Sequence, residues 1–197
     1  MNIFGEKVVL RAMEIEDMEL LRETLNDPEI EYSVVGWSFP VSKSEQLRWY
    51  ESTLSDKKNK RFVFETINTA EISSLGFIVL SNLDWKNRTA GIGIKLFKDA
   101  PRKQGYATDA LQALLKYVFE ELQLYRIGIN ILAANEASIA LYTKNGFRKE
   151  GTLRSAIYKK GEYHDLHCYG LLKSDYLELF SEKQDKLIHS KVIVQKG

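Results

Sequence analysis

Arg102-Lys103-Gln104-Gly105-Tyr106-Ala107 lies between a short apolar alternation and a long amphipathic run, and the three pieces together decide the fold. Upstream, Ile92, Ile94 and Leu96 alternate with Gly93, Lys95 and Phe97, a segment of strand length. Downstream, Ala107, Ala110, Leu111, Leu114, Leu115, Val118, Phe119 and Leu122 recur at three- and four-residue spacing. Asp109, Gln112, Lys116 and Glu120 fall on the opposite side, so residues 104–122 read as a helix with one apolar face. A strand, a basic glycine-containing turn and a helix in that order expose unpaired backbone N–H groups at the positive end of a helix dipole. Such a turn binds phosphate. Gly105 lets the backbone come close to a ligand, while Arg102 and Lys103 add positive charge; a plain helix start with a solvated basic pair is the competing reading.

Working outward, Lys7–Ala12 holds Val8, Val9 and Leu10 and reads as a first strand, and Glu14–Leu25 as a helix stopped by Asp27-Pro28. Residues 29–41 carry no periodicity. Ser42 and Glu45 have capping-box spacing and open a second helix. Arg61–Thr66, Ser74–Leu80 and Thr89–Leu96 are strand candidates joined by connections short enough for antiparallel hairpins. Tyr125–Leu132 follows a strand–helix unit and is expected parallel to Thr89–Leu96. Asn135 can cap a further helix that Gly146 ends in left-handed conformation. Phe147–Tyr158 and Tyr163–Leu172 form a hairpin through Lys159-Lys160-Gly161-Glu162.

The 197 residues suit one domain with a substantial core. Lys plus Arg number 28 against 27 Asp plus Glu, so charge gives no support to a nucleic-acid partner. A single Cys excludes an internal disulfide, and no apolar run reaches membrane-spanning length. With charge at Glu6, Lys7 and Arg11 there is no secretory core, so the expected setting is cytoplasmic, without membrane contact. Three His and one Cys offer no ligand cluster, so no metal is expected.

Arg102-x-x-Gly105-x-Ala107 followed by Thr108-Asp109-Ala110-Leu111 resembles the acetyl-CoA-binding motif of the GNAT N-acetyltransferase superfamily. Asn82-Leu83-Asp84-Trp85-Lys86-Asn87-Arg88 is similar to a turn of its RimJ/RimL-like branch and of spermidine acetyltransferases. Asn135 to Tyr142 with Lys144-Asn145-Gly146-Phe147 resembles the second CoA-binding helix, and Glu150-Gly151-Thr152-Leu153-Arg154 its usual continuation. The resemblance runs from about Val8 to Tyr176. It implies an α/β fold, a mixed and mostly antiparallel sheet of about seven strands flanked by about four helices. Residues 1–176 would be a single acetyltransferase domain and 177–197 a partly ordered C-terminal extension. It also implies acetyl-CoA as cosubstrate, direct acetyl transfer to a primary amine through a tetrahedral intermediate, and a homodimer.

Carried onto this chain, the resemblance assigns coenzyme contact to Ile94, Leu96 and Phe97 by strand pairing with pantetheine, to Arg102, Lys103, Gln104, Gly105, Tyr106, Ala107 and Thr108 at the diphosphate, and to Asn135 and Ser138 on the later helix. Tyr142, two helical turns from Asn135, would protonate the departing thiolate; a core aromatic is the alternative for Tyr142, and simple capping for Asn135. Many relatives carry a Glu on the strand before the cradle as general base, where this chain has Gly91. Glu31, His164, Asp165 and His167 are the substitutes on offer, alongside a water chain or an amine that arrives unprotonated. Glu31 and Trp37 are candidate acceptor contacts, though Trp37, like Phe39 and Trp49, also reads as core. The acceptor stays open between a peptide N-terminus, a small-molecule amine and a polyamine such as spermidine; a non-catalytic acyl-CoA-binding module is the rival from another class.

Overall fold

The protein is seen in a computed structural model that describes residues 1–36, 39–67 and 73–179. Among the described residues, eight strands form one sheet: β1 (Ile3–Phe4), β2 (Val8–Ala12), β3 (Lys60–Thr66), β4 (Ser74–Asp84), β5 (Thr89–Leu96), β6 (Arg126–Leu132), β7 (Arg148–Lys159) and β8 (Glu162–Leu172). Their spatial order is β1-β2-β3-β4-β5-β6-β8-β7. Every neighbouring pair is antiparallel except β5 and β6. The helices are α1 (Met18–Leu25), α2 (Pro28–Ser33), α3 (Lys43–Thr53), α4 (Tyr106–Lys116), α5 (Glu136–Lys144) and α6, described over 173–179.

The mixed, mostly antiparallel architecture is the one expected, with β1, α2 and α6 in addition. Pro28 is the instructive correction. It does not merely close α1; it opens α2 as its first helical residue, where a missing N–H costs nothing. The Asp27 carboxylate caps that helix, accepting from the Glu29 N–H at 2.9 Å and the Ile30 N–H at 3.2 Å. The Ser42–Glu45 capping box forms as read, with both reciprocal bonds present. The long helix begins at Tyr106 and gives way to one π-helical stretch, Tyr117–Glu121, which buries both Val118 and Phe119.

The apolar face of α4 (Ala110, Leu111, Leu114, Leu115) packs into a core with Leu10, Phe64, Ile78 and Leu80 from the strands. Two polar tethers fix α4, one in its first turn and one at its middle. The Asp109 carboxylate accepts the backbone N–H groups of Glu6, Lys7 and Val8 at 3.0, 2.8 and 3.0 Å, tying the helix to the start of β2. Gln112 donates to the buried Asn145 side chain at 2.8 Å, joining α4 to the end of α5. Gly146 follows at φ +88°, the expected left-handed stop. Tyr176 of α6 stacks on Phe119 and donates to Glu120 at 2.9 Å, so 173–179 dock on the core; Leu177 stays exposed, and the tail from 180 onward lies outside the described residues. No helix among the described residues is long and apolar enough to cross a membrane.

The feature that makes a site is the parting of β5 from β6. They pair only at Thr89–Arg126, Ala90–Ile127 and Gly91–Gly128. Beyond Gly91, β5 continues to Leu96 paired with β4 alone, and its other edge opens onto a cleft.

Candidate active site

Two cavities meet in that split. One, of about 590 Å³, runs from Ile94 and Leu96 past Arg102–Thr108 to Asn135, Ser138 and Lys144. The other, of about 720 Å³, lies along the glycine-rich stretch Gly91–Lys95 and the facing Gly128–Leu132. Ser33, Val34, Ile94, Lys95, Asn135 and Ser138 line both, so the two are one passage through the sheet.

The first cavity ends at the turn read from the sequence. Lys103 (φ +60°) and Gly105 (φ +85°) both adopt left-handed conformation, which curls the backbone into a concavity of N–H groups. The first bond of α4 runs from the Asp109 N–H to the Gly105 carbonyl at 2.9 Å. The N–H groups of Tyr106, Ala107 and Thr108 therefore precede any helical acceptor and stay available to an anion. The sequence reading missed Lys7, whose ammonium donates to the Gln104 carbonyl at 3.0 Å behind the cradle. A separation of 97 residues carries no local signal for that contact.

On the open edge of β5, strand alternation turns the backbone groups of Ile92, Ile94 and Leu96 toward the cleft. Phe97 is a correction to the expected pantetheine contacts. Its N–H is donated to the Leu75 carbonyl at 2.9 Å, its carbonyl accepts from Ala100 at 3.1 Å, and its ring is buried. Its N–H, the group that would pair with a ligand amide, is already engaged within the sheet.

Tyr142 reaches the wall of the second cavity from α5. Its ring packs edge-on against Phe147, with centroids 5.0 Å apart, and its side chain is 1% exposed. Among the described residues its hydroxyl makes no hydrogen bond. Burial pushes its pKa well above that of an ordinary phenol, opposed in part by the nearby Ile94 N–H. A buried hydroxyl without a partner is costly, and one that faces a cavity is best understood as waiting for a ligand atom. Asn135, by contrast, makes a hydrogen bond at each end of its amide while lining both cavities. Its oxygen caps α5 through the Ser138 N–H (2.9 Å) and its nitrogen donates to the Ser33 carbonyl (2.6 Å). It shapes the cleft by holding the end of α2 against α5.

The roof is closed by a second long-range tie. Lys159, at the tip of the β7–β8 hairpin, donates to both the carboxylate and the carbonyl of Glu31 at 2.6 Å. Glu31 is thereby engaged and lines neither cavity, and Trp37 lies outside the described residues. The other base candidates are also elsewhere. His164 meets the Lys159 carbonyl at 3.1 Å, Asp165 accepts the Ser155 N–H at 2.8 Å, and His167 meets Thr152 at 3.1 Å; none of the three lines the passage. At Gly91 there is no carboxylate, and a Cβ there would lie 2.5 Å from the Ser81 hydroxyl oxygen, which would have to turn away. Among the described residues lining the passage, the one carboxylate is Glu150, held by Arg126 through both oxygens and kept below the usual range by that guanidinium.

Comparison with known proteins agrees with this geometry. Residues 7–148 match the family described as the Acetyltransferase (GNAT) domain. The chain is 31% identical over 172 residues to the SPbeta prophage-derived uncharacterized N-acetyltransferase YokL of Bacillus subtilis (strain 168), covering 87% of this chain and 93% of that one. It is 27% identical over 176 residues to the spermidine N(1)-acetyltransferase of Escherichia coli (strain K12), covering 88% and 90%. Among solved structures it resembles the spermidine N-acetyltransferase of Vibrio cholerae in complex with CoA and spermine, with a TM-score of 0.77 at 26% identity over 86% of this chain and 98% of the other. The split sheet, the anion cradle at Gly105 and the match over residues 7–148 make this chain a member of the GNAT family of N-acetyltransferases.

Proposed function

We propose that the chain uses acetyl-CoA to acetylate a primary amine, with the coenzyme in the cavity that ends at Gly105 and the acceptor in the cavity along Gly91–Lys95. One observation carries this reading: the Tyr142 hydroxyl, buried and without a partner among the described residues, belongs to the wall of the larger cavity beside the Ile94 N–H, and Ile94 lines both cavities. Bound there, acetyl-CoA supplies an activated thioester.

The chain's own groups do the rest. The free N–H groups of Tyr106, Ala107 and Thr108, with Arg102 and Lys103, hold the diphosphate. The open edge of β5 offers main-chain donors and acceptors to an extended amide chain. The Ile94 N–H is a donor for the developing oxyanion, and the Tyr142 hydroxyl donates a proton or hydrogen bond to the leaving sulfur. Because burial keeps this phenol protonated, it acts as a donor and not as a base. With Gly91 in place of a carboxylate and Glu150 tied to Arg126, the acceptor is deprotonated before it enters or through water.

Mixing the protein with acetyl-CoA and a panel of peptide, amino-acid and polyamine acceptors, with thiol release as readout, tests this. CoA release that depends on an acceptor is the expected result. Tight CoA binding without turnover of any amine would favour a coenzyme-binding module instead.

A further inference from the structure

Lys95 stands on β5 one residue beyond Ile94. It lies opposite Phe77 in the sheet register, so its side chain shares a face with Gly91 and Gly93 and projects over the acceptor cavity. It also lines the coenzyme cavity, which puts it at the point where donor and acceptor meet. Two cations near the acceptor cavity are already paired, whereas Arg102, Lys103 and Lys144 lie at the coenzyme end. Lys159 is neutralised by Glu31, and Arg126 by Glu150. The Lys95 ammonium makes neither a hydrogen bond nor an ion pair with any described residue, although the residue is part-buried. Desolvation lowers its pKa, the charge of Lys159 lowers it further, and Glu31 opposes the shift. Beside it, Gly91 and Gly93 present no side chains, and Phe77 and Val79 form an apolar wall. The result is a roomy pocket whose walls carry one uncompensated positive charge.

We infer that Lys95 receives a carboxylate of the acceptor, so that the acceptor is an amine bearing an acid group, of the amino-acid or acidic-peptide kind, and not a polycation. An ammonium stripped of part of its water and left unpaired gains most from an anion, and repels a polyamine at the same short range. The coenzyme's own anions have a separate seat at the cradle, which leaves Lys95 for a charge near the reacting carbonyl. This assignment rests on the acetyl-transfer reading above.

The test compares matched acceptors, free acids against their carboxamides, in the native protein and in Lys95→Met and Lys95→Gln. The free acid is expected to be favoured at least tenfold in kcat/KM, and both variants should level the pair while the KM for acetyl-CoA stays within about twofold. Equal rates for acid and amide, a preference for spermidine, or a rise in the acetyl-CoA KM as the main effect of the variants would overturn the assignment. So would a preference for succinyl-CoA over acetyl-CoA that both variants abolish, since the carboxylate would then sit on the acyl group. A separate arm needs no turnover: calorimetric titration of the CoA-bound protein with glutarate should show binding that both variants lose. Glutarate binding without any acetyl transfer would sink the enzymatic reading while leaving the anion site standing, and its absence in folded native protein would sink the site itself.

Discussion

Replacing Tyr142 with Phe should push activity and stability in opposite directions. The hydroxyl is buried and makes no hydrogen bond among the described residues, so the folded protein bears the cost of having removed it from water. Such a group costs about 1–3 kcal/mol, and the nearby Ile94 N–H argues for the lower end, about 1 kcal/mol. For a chain of this size that corresponds to a melting temperature higher by about 2–4 °C in the ligand-free variant. With CoA bound, the hydroxyl has a partner and the gain should shrink. Loss of the proton donor should lower kcat by about 10²–10⁴-fold while the KM for acetyl-CoA changes little. Thermal melts with and without CoA, beside steady-state kinetics, read both effects. A variant that melts lower than the parent without ligand, or keeps kcat within about twofold, would refute the reasoning.

Gly105→Ala forces a side chain into left-handed backbone at the cradle, at a cost of about 1–2 kcal/mol. The acetyl-CoA KM should rise about tenfold with kcat at saturation little altered; an unchanged KM would count against the cradle. Asp109→Ala frees three backbone N–H groups and unties α4 from β2, which should cost about 2 kcal/mol in urea unfolding; a loss below a few tenths would contradict the tether. Glu31→Gln releases Lys159 from its carboxylate partner and should raise the acceptor KM by loosening the roof over the passage. An effect confined to the coenzyme KM would show the roof serves the other cavity.

The local elements of the site were readable because each rests on neighbours in the chain. Alternation marks β5, a three-and-four spacing marks α4, and Gly105 and Gly146 sit where left-handed backbone is needed. Pro28 misled because a proline that ends one helix and one that begins the next look alike until the Asp27 cap is seen. Phe97 misled because strand periodicity does not reveal that Leu75 and Ala100 claim its backbone. What stayed out of reach was long-range. Lys7 behind the cradle, Lys159 on Glu31, and Asn135 on Ser33 join residues roughly a hundred or more positions apart, and no spacing rule encodes such contacts. The isolation of Lys95 is of the same kind, since it depends on which distant carboxylates are already engaged.

A crystal structure with CoA bound would test the central claim most directly. The account predicts the diphosphate on the amides of residues 105–108 and the sulfur within hydrogen-bonding reach of the Tyr142 hydroxyl. A diphosphate seated away from residues 102–108, or a sulfur out of reach of that hydroxyl, would contradict it.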